Sequence, residues 1–114
     1  MRIWNVNPKM LCRKHLLGEH LECHMFAGSI LLGKSLNGYI QHGLVEVHNI
    51  KNRHEELANE MGRRGYNHES PLPEFSSYIA GSVNTVENIA ELKRRCPICR
   101  TLIAESVDNG ITIL

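Results

Sequence analysis

Three stretches of this chain open on a helix-capping signal, and that punctuation commits it to a mainly helical fold. Asn7-Pro8 sets a capping amide before a proline whose fixed φ suits the first helical position, and the spacing predicts a helix to about Phe26. Asn49 to Arg64 is the second stretch. Gly65 follows it where a left-handed cap is wanted, and Glu60 and Arg64 are spaced to pair on one face. Asn84-Thr85-Val86-Glu87 is a capping box with Asn as the cap, opening a third helix that ends near Arg95.

The intervening segments are shorter. Ser29 to Gly38 reads as a short helix or a loop with turns, Leu44 to Val47 as an extended piece, and Tyr66 to Phe75, with two prolines, as an ordered loop. After Cys96-Pro97-Ile98-Cys99, Thr101 to Val107 and Ile111 to Leu114 predict two strands around an Asp108-Asn109-Gly110 turn. The expected architecture is a compact bundle of three or more helices with a short C-terminal β-hairpin, residues 1–114 forming a single domain.

Charge narrows the choice of partner. The formal net charge is only +1, from 13 basic and 12 acidic residues, so nothing in the sum draws the chain to nucleic acid. The positive charge is clustered instead, at Arg13-Lys14, at Arg63-Arg64, and at Lys93-Arg94-Arg95 with Arg100 close by. Such clusters are either phosphate contacts or solvated helix faces. No apolar run approaches the roughly 18 residues of a membrane span, and the start of the chain lacks a signal-peptide pattern. The expectation is a cytoplasmic protein whose four cysteines are free thiols or metal ligands rather than disulfides.

The first helix carries the polar residues that need a reason. His15, Glu19 and Glu22 fall at helical spacing on one side, with Gly18 between them. A glycine inside a helix costs about 1 kcal/mol relative to alanine, and one that is kept often admits a close neighbour. Two carboxylates and an imidazole on one face suit proton transfer, and a plain solvated face is the alternative. His20 and His24 form an i, i+4 pair able to share a metal, but they lie off that stripe, which argues against a catalytic metal there.

Cys96 and Cys99 are half of a zinc site, which needs four ligands. Cys12 and Cys23, if both stood on one straight helix, would be about 16 Å apart along its axis and could not share one ion. Two completions remain: Cys23 with His20 or His24, or Cys12 with His15. A pair of reduced thiols at a helix end, or a redox-labile pair, is the alternative. Any zinc would be structural, and no cofactor is required for the chemistry.

Arg2-Ile3-Trp4, the stretch His15-Leu16-Leu17-Gly18-Glu19-His20-Leu21-Glu22, and Arg53 to Met61 leading into Arg63-Arg64-Gly65-Tyr66-Asn67 together resemble the pyrimidine-dimer DNA glycosylase/AP-lyase family. They agree in order and spacing over roughly the first 75 residues. The resemblance implies an all-helical enzyme that binds double-stranded DNA at an ultraviolet photoproduct and flips out a base opposite the lesion. Its N-terminal amine attacks the sugar C1′, displaces the base and forms an imine. A glutamate on the first long helix then assists strand cleavage by β-elimination.

Carried onto this chain, the amine belongs to Met1, since the bulky Arg2 disfavours removal of the initiator. Glu22 matches the glutamate, His15 the helix histidine, and Arg2 the arginine beside the terminus. The chemistry is coherent, because α-amines titrate near 7.7–8.0, well below lysine's roughly 10.4. A nearby carboxylate can stabilise the cation at the sugar and later take a proton. This reading expects the Met1 nitrogen beside Glu22 in a concave surface lined by His15 and Arg2. It also expects basic residues from at least two of the clusters on the rim.

The chain departs from the family pattern in two places. Leu21 and Met25 stand where the family carries DNA-gripping arginines, and a short cysteine-bearing tail replaces an aromatic, basic one. The resemblance therefore implies lyase-type chemistry more directly than it implies the pyrimidine dimer as the lesion. A non-catalytic DNA- or protein-binding module of the same fold, zinc-stabilised or not, is the competing reading. The sequence does not fix the oligomeric state.

Overall fold

The computed structural model describes residues 1–68 and 70–108. Its helices are α1 (Arg13–Leu31), α2 (Asn37–Gln41), α3 (Ile50–Arg63), α4 (Thr85–Arg95) and α5 (Pro97–Asp108). Single 3-10 turns precede α1 at Pro8–Met10 and α3 at Val47–Asn49. No helix among the described residues is long and apolar enough to cross a membrane.

The first helix does not start where the cap signal places it. Asn7 caps through its side chain, taking the Lys9 N–H at 3.0 Å, but the turn it opens stops at Leu11, whose backbone is extended. Met10, Leu11 and Cys12 are all buried, and three consecutive residues cannot all face inward from one amphipathic helix. The chain therefore restarts at Arg13, with Cys12 as the new cap, its thiol accepting the His15 N–H at 3.4 Å. The helix also runs past Phe26 to Leu31.

The second and third helices match their signals. Gly65 is left-handed at φ +81°, and the Tyr66 N–H returns to the Met61 carbonyl at 2.8 Å, closing α3. Arg64 reaches Glu60 at 2.7 Å. Asn84 accepts the Glu87 N–H at 3.0 Å and starts α4.

The predicted hairpin is overturned. Thr101 to Val107 is helical, and no strand occurs among the described residues; Ile111 to Leu114 lie outside them. Cys96, Cys99, Ile103 and Ser106 are buried at three- and four-residue spacing, a helical stripe masked by the β-branched composition. Pro97 sits in the first turn, where it is tolerated. Thr101 and Ser106 satisfy their hydroxyls on carbonyls four residues back, at 3.2 and 2.8 Å.

The core lies between α1 and α3 and beneath the N-terminal segment. α1 buries Leu16, Glu19, His20, Cys23, Phe26 and Ala27, and it packs on α3, which buries Ile50, Leu57 and Met61. Ahead of α1, Ile3, Trp4 and Val6 are buried, and the Ile3 N–H bonds the Leu44 carbonyl at 2.7 Å. The expected extended piece from Leu44 to Val47 is cut short, since Glu46 is extended but Val47 already opens the 3-10 turn, and the segment pairs into no strand among the described residues. It is closely overlain by Gly81, where a Cβ would stand 2.1 Å from the Val45 carbonyl oxygen, so only glycine fits.

Candidate active site at the chain terminus

Burial of Ile3 and Trp4 fixes the path of the first residues. From α4, Asn88 donates to the Trp4 carbonyl at 2.8 Å and accepts from the Arg2 guanidinium at 2.7 Å. The Arg2 guanidinium also lies over the Trp4 ring, 3.8 Å from its centre. Held this way, Arg2 turns its backbone N–H toward the Glu22 carboxylate, and Met1 packs against the core. The terminal ammonium lies near enough to Glu22 to act on its charge.

Glu22 is half-buried. Burial raises its carboxyl above the ordinary carboxylate range and the Glu19 charge adds to this, while the Arg2 N–H, the terminal ammonium and the Arg2 guanidinium pull it back. One turn earlier on the same helical face, Gly18 has no atom within 4 Å of the position a Cβ would take, so its side of Glu22 is open. Leu21 and Met25 are exposed around it, 59% and 47%. Burial also lowers the Arg2 guanidinium, helped by Arg95, and Arg2 Nε has no hydrogen-bond partner among the described residues. The clefts beside Asn7–Lys9 and between α3 and the 71–77 loop do not take in Glu22.

Glu19 shares the stripe but not its freedom. It is fully buried and clamped by the equally buried Arg53, whose Nε meets one carboxylate oxygen and whose Nη2 meets the other at 3.1 Å. That pair joins α1 to α3. Sequence periodicity showed the stripe, but not the arginine 34 residues away that claims one of its members.

His15 is turned toward the cysteines. Its Nδ1 lies 3.1 Å from the Cys12 thiol and 3.5 Å from the Cys99 thiol, and its ring meets Trp4 edge-on. Cys96 lies 3.9 Å from Cys12. These four ligand atoms lie within 4.8 Å of one another and could hold a metal. Tetrahedral zinc with bonds of about 2.3 Å to sulfur and 2.0 Å to nitrogen separates its ligand atoms by roughly 3.4–3.8 Å, which this spacing suits. Burial opposes ionisation of Cys96, but the Cys99 N–H, the neighbouring thiols and the Ile98 N–H bring it below the usual thiol range, while burial raises Cys99. The completion through Cys23 is not formed, since Cys23 is buried among core residues and burial raises its thiol.

The basic clusters divide. Arg95 faces the Trp4 ring at 5.4 Å and lies close enough to Arg2 to act on it. Arg94 and Arg95 both bind Glu91, holding its carboxyl at about 2. Lys93 is exposed, as is Lys14, which stands on the α1 face that carries Gly18 and Glu22. Arg13 stacks on Tyr66 at 4.5 Å. Arg63 and Arg64 are committed to Glu60, and Arg64 also to the Pro8 and Leu11 carbonyls.

No curated protein and no solved structure matches the chain. A family model described as pyrimidine dimer DNA glycosylase does match, over residues 1–74. The matched part holds the terminus, α1, α3 and the start of the following loop, while Asn88, Arg95, Cys96 and Cys99 lie beyond it. With the terminus laid against Glu22 and the match covering well over half its length, the chain belongs to the pyrimidine dimer DNA glycosylase family.

Proposed function

We propose that this protein is a DNA glycosylase with AP-lyase activity on double-stranded DNA, working through an imine at its N-terminal amine. The observation that carries the reading is that the Arg2 N–H and the terminal ammonium both act on the Glu22 carboxyl, which brings the terminus and the acid to one place. The neutral Met1 nitrogen attacks C1′ as the C1′–N bond breaks, and the base leaves with that electron pair and takes one proton from the amine. The C1′–O4′ bond then opens with the second proton passing to O4′, which leaves an imine. Glu22 first stabilises the cation at C1′ as its carboxylate, then takes the C2′ proton as the C3′–O bond breaks. Water hydrolyses the imine and frees the amine.

Arg2, half-buried over the Trp4 ring beside the terminus, suits a phosphate next to the reacting sugar, and Lys14, Lys93 and Arg95 extend that contact. Leu21 and Met25 give the DNA-facing side of α1 apolar surface, suited to lie against an unstacked base rather than grip a phosphate. The His15 geometry favours a ligand role for that residue, in a structural zinc site with Cys12, Cys96 and Cys99.

Borohydride reduction during incubation with duplex DNA carrying an abasic site tests the proposal. A covalent protein–DNA complex is expected, and Glu22→Gln should reduce strand cleavage sharply. Folded protein that binds this DNA yet gives no trapped complex would leave a binding module in place of the enzyme.

A further inference from the structure

Four of the seven histidines converge on the side of α1 opposite Glu22. His20 and His24 come from α1, His54 from α3, and His68 from the loop that follows α3. His20 and His54 are buried, at 9% and 1% exposure. The ring centres of His20 lie 4.7 Å from those of both His54 and His68. Imidazoles brought together this closely in a protein interior cannot all be charged, and burial with the neighbouring rings lowers His20 to about 4.

The hydrogen bonds show where the lone pairs are. The exposed Glu55 carboxylate faces His54 Nδ1 at 3.3 Å, which places a proton on that nitrogen and leaves the lone pair on His54 Nε2. The Nε2 atom of His24 lies 3.1 Å from the Ser70 carbonyl, which accepts its proton, and 3.2 Å from His54 Nε2, whose lone pair stays free for a cation. His20 Nε2 and His68 Nε2 face each other at 2.8 Å with one proton between them. Three ring nitrogens, from His20, His54 and His68, thus lie within 4.8 Å of one another, two of them needing only a cation in place of a shared proton. Tetrahedral zinc sets its nitrogens roughly 3.3 Å apart, a small adjustment for this pair. A carboxylate behind a ligating imidazole, as Glu55 stands behind His54, is the usual support of such a ligand.

We infer that His20, His54 and His68 form a second metal site, selective for a divalent transition cation of the zinc class, which fastens the loop after α3 to the α1–α3 pair. Three neutral imidazoles suit zinc, nickel or copper and not calcium or magnesium. The site differs from the cysteine cluster in ligand type and shares no residue with it.

Zinc counting on the full-length chain tests this. Wild type and His68→Asn are stripped with a chelator, reloaded with zinc, desalted and analysed for bound metal. His68 is half-buried on a loop, so its replacement leaves the helix pair intact. Wild type should retain one more zinc ion per chain than His68→Asn, and zinc should protect the 66–75 loop from proteolysis only in wild type. Cobalt substitution separates the two sites, because thiolate-to-cobalt absorption reports the cysteine cluster alone and should persist in His68→Asn. Equal zinc in the two proteins, with or without that absorption, would overturn the site.

Discussion

The backbone N–H of Arg2 acts on the side chain of Glu22, so the carboxyl in the middle of α1 and the start of the chain share one place. It follows that Glu22 matters more to reactivity than to folding. Its carboxyl is raised by burial, so the folded state keeps a proton that the unfolded state has released, and stability falls as pH rises through that window. At neutral pH Glu22→Gln removes this cost and keeps an oxygen for the Arg2 N–H. Its melting temperature should be no lower than wild type while strand cleavage is lost. In wild type the acid limb of the cleavage pH profile should lie above the ordinary glutamate value of about 4.3.

Much of this arrangement was legible in the sequence. The caps at Asn84 and Gly65, the Glu60–Arg64 pair and the polar stripe of α1 are local features, and local spacing reports them. The partners that decide each stripe residue's role are distant. Arg53 claims Glu19, Cys99 draws on His15, and Asn88 holds Arg2, and no periodicity encodes these meetings. The hairpin expectation failed for a related reason: β-branched residues at Thr101, Ile103 and Val107 suggest strand, but burial of Cys99, Ile103 and Ser106 decides for helix.

Asn88 is expected to be a positioning residue. Asn88→Ala leaves the Trp4 carbonyl unpaired in a buried place, at a cost of about 1–3 kcal/mol, and frees Arg2. Single-turnover cleavage at saturating DNA should slow while DNA affinity, read by fluorescence anisotropy, stays close to wild type. An equal loss in both would place Asn88 in DNA binding instead.

The Glu19–Arg53 pair should be structural. Arg53→Met strands a buried carboxylate and should destabilise the fold by about 3–5 kcal/mol in chemical denaturation. Adding Glu19→Leu removes the orphaned charge, and the double variant should recover much of that loss.

A structural zinc at Cys12, His15, Cys96 and Cys99 makes stability depend on metal. Zinc at a hundredfold excess over its dissociation constant stabilises by about 2.7 kcal/mol. A chelator should therefore lower the melting temperature of wild type and of Cys23→Ala, whose thiol lies outside the cluster. Cys99→Ser should melt low and keep only the smaller chelator response that the separate His20, His54 and His68 group gives.

The most direct test of the account is to find the atom that carries the DNA after borohydride trapping. Digestion of the reduced complex and mass spectrometry of its peptides should place the sugar remnant on the α-amine of Met1, with none on Lys9 or Lys14 nearby in the sequence. A remnant on a lysine side chain, with the Met1 amine unmodified, would contradict the claim that the terminus held by Glu22 is the nucleophile.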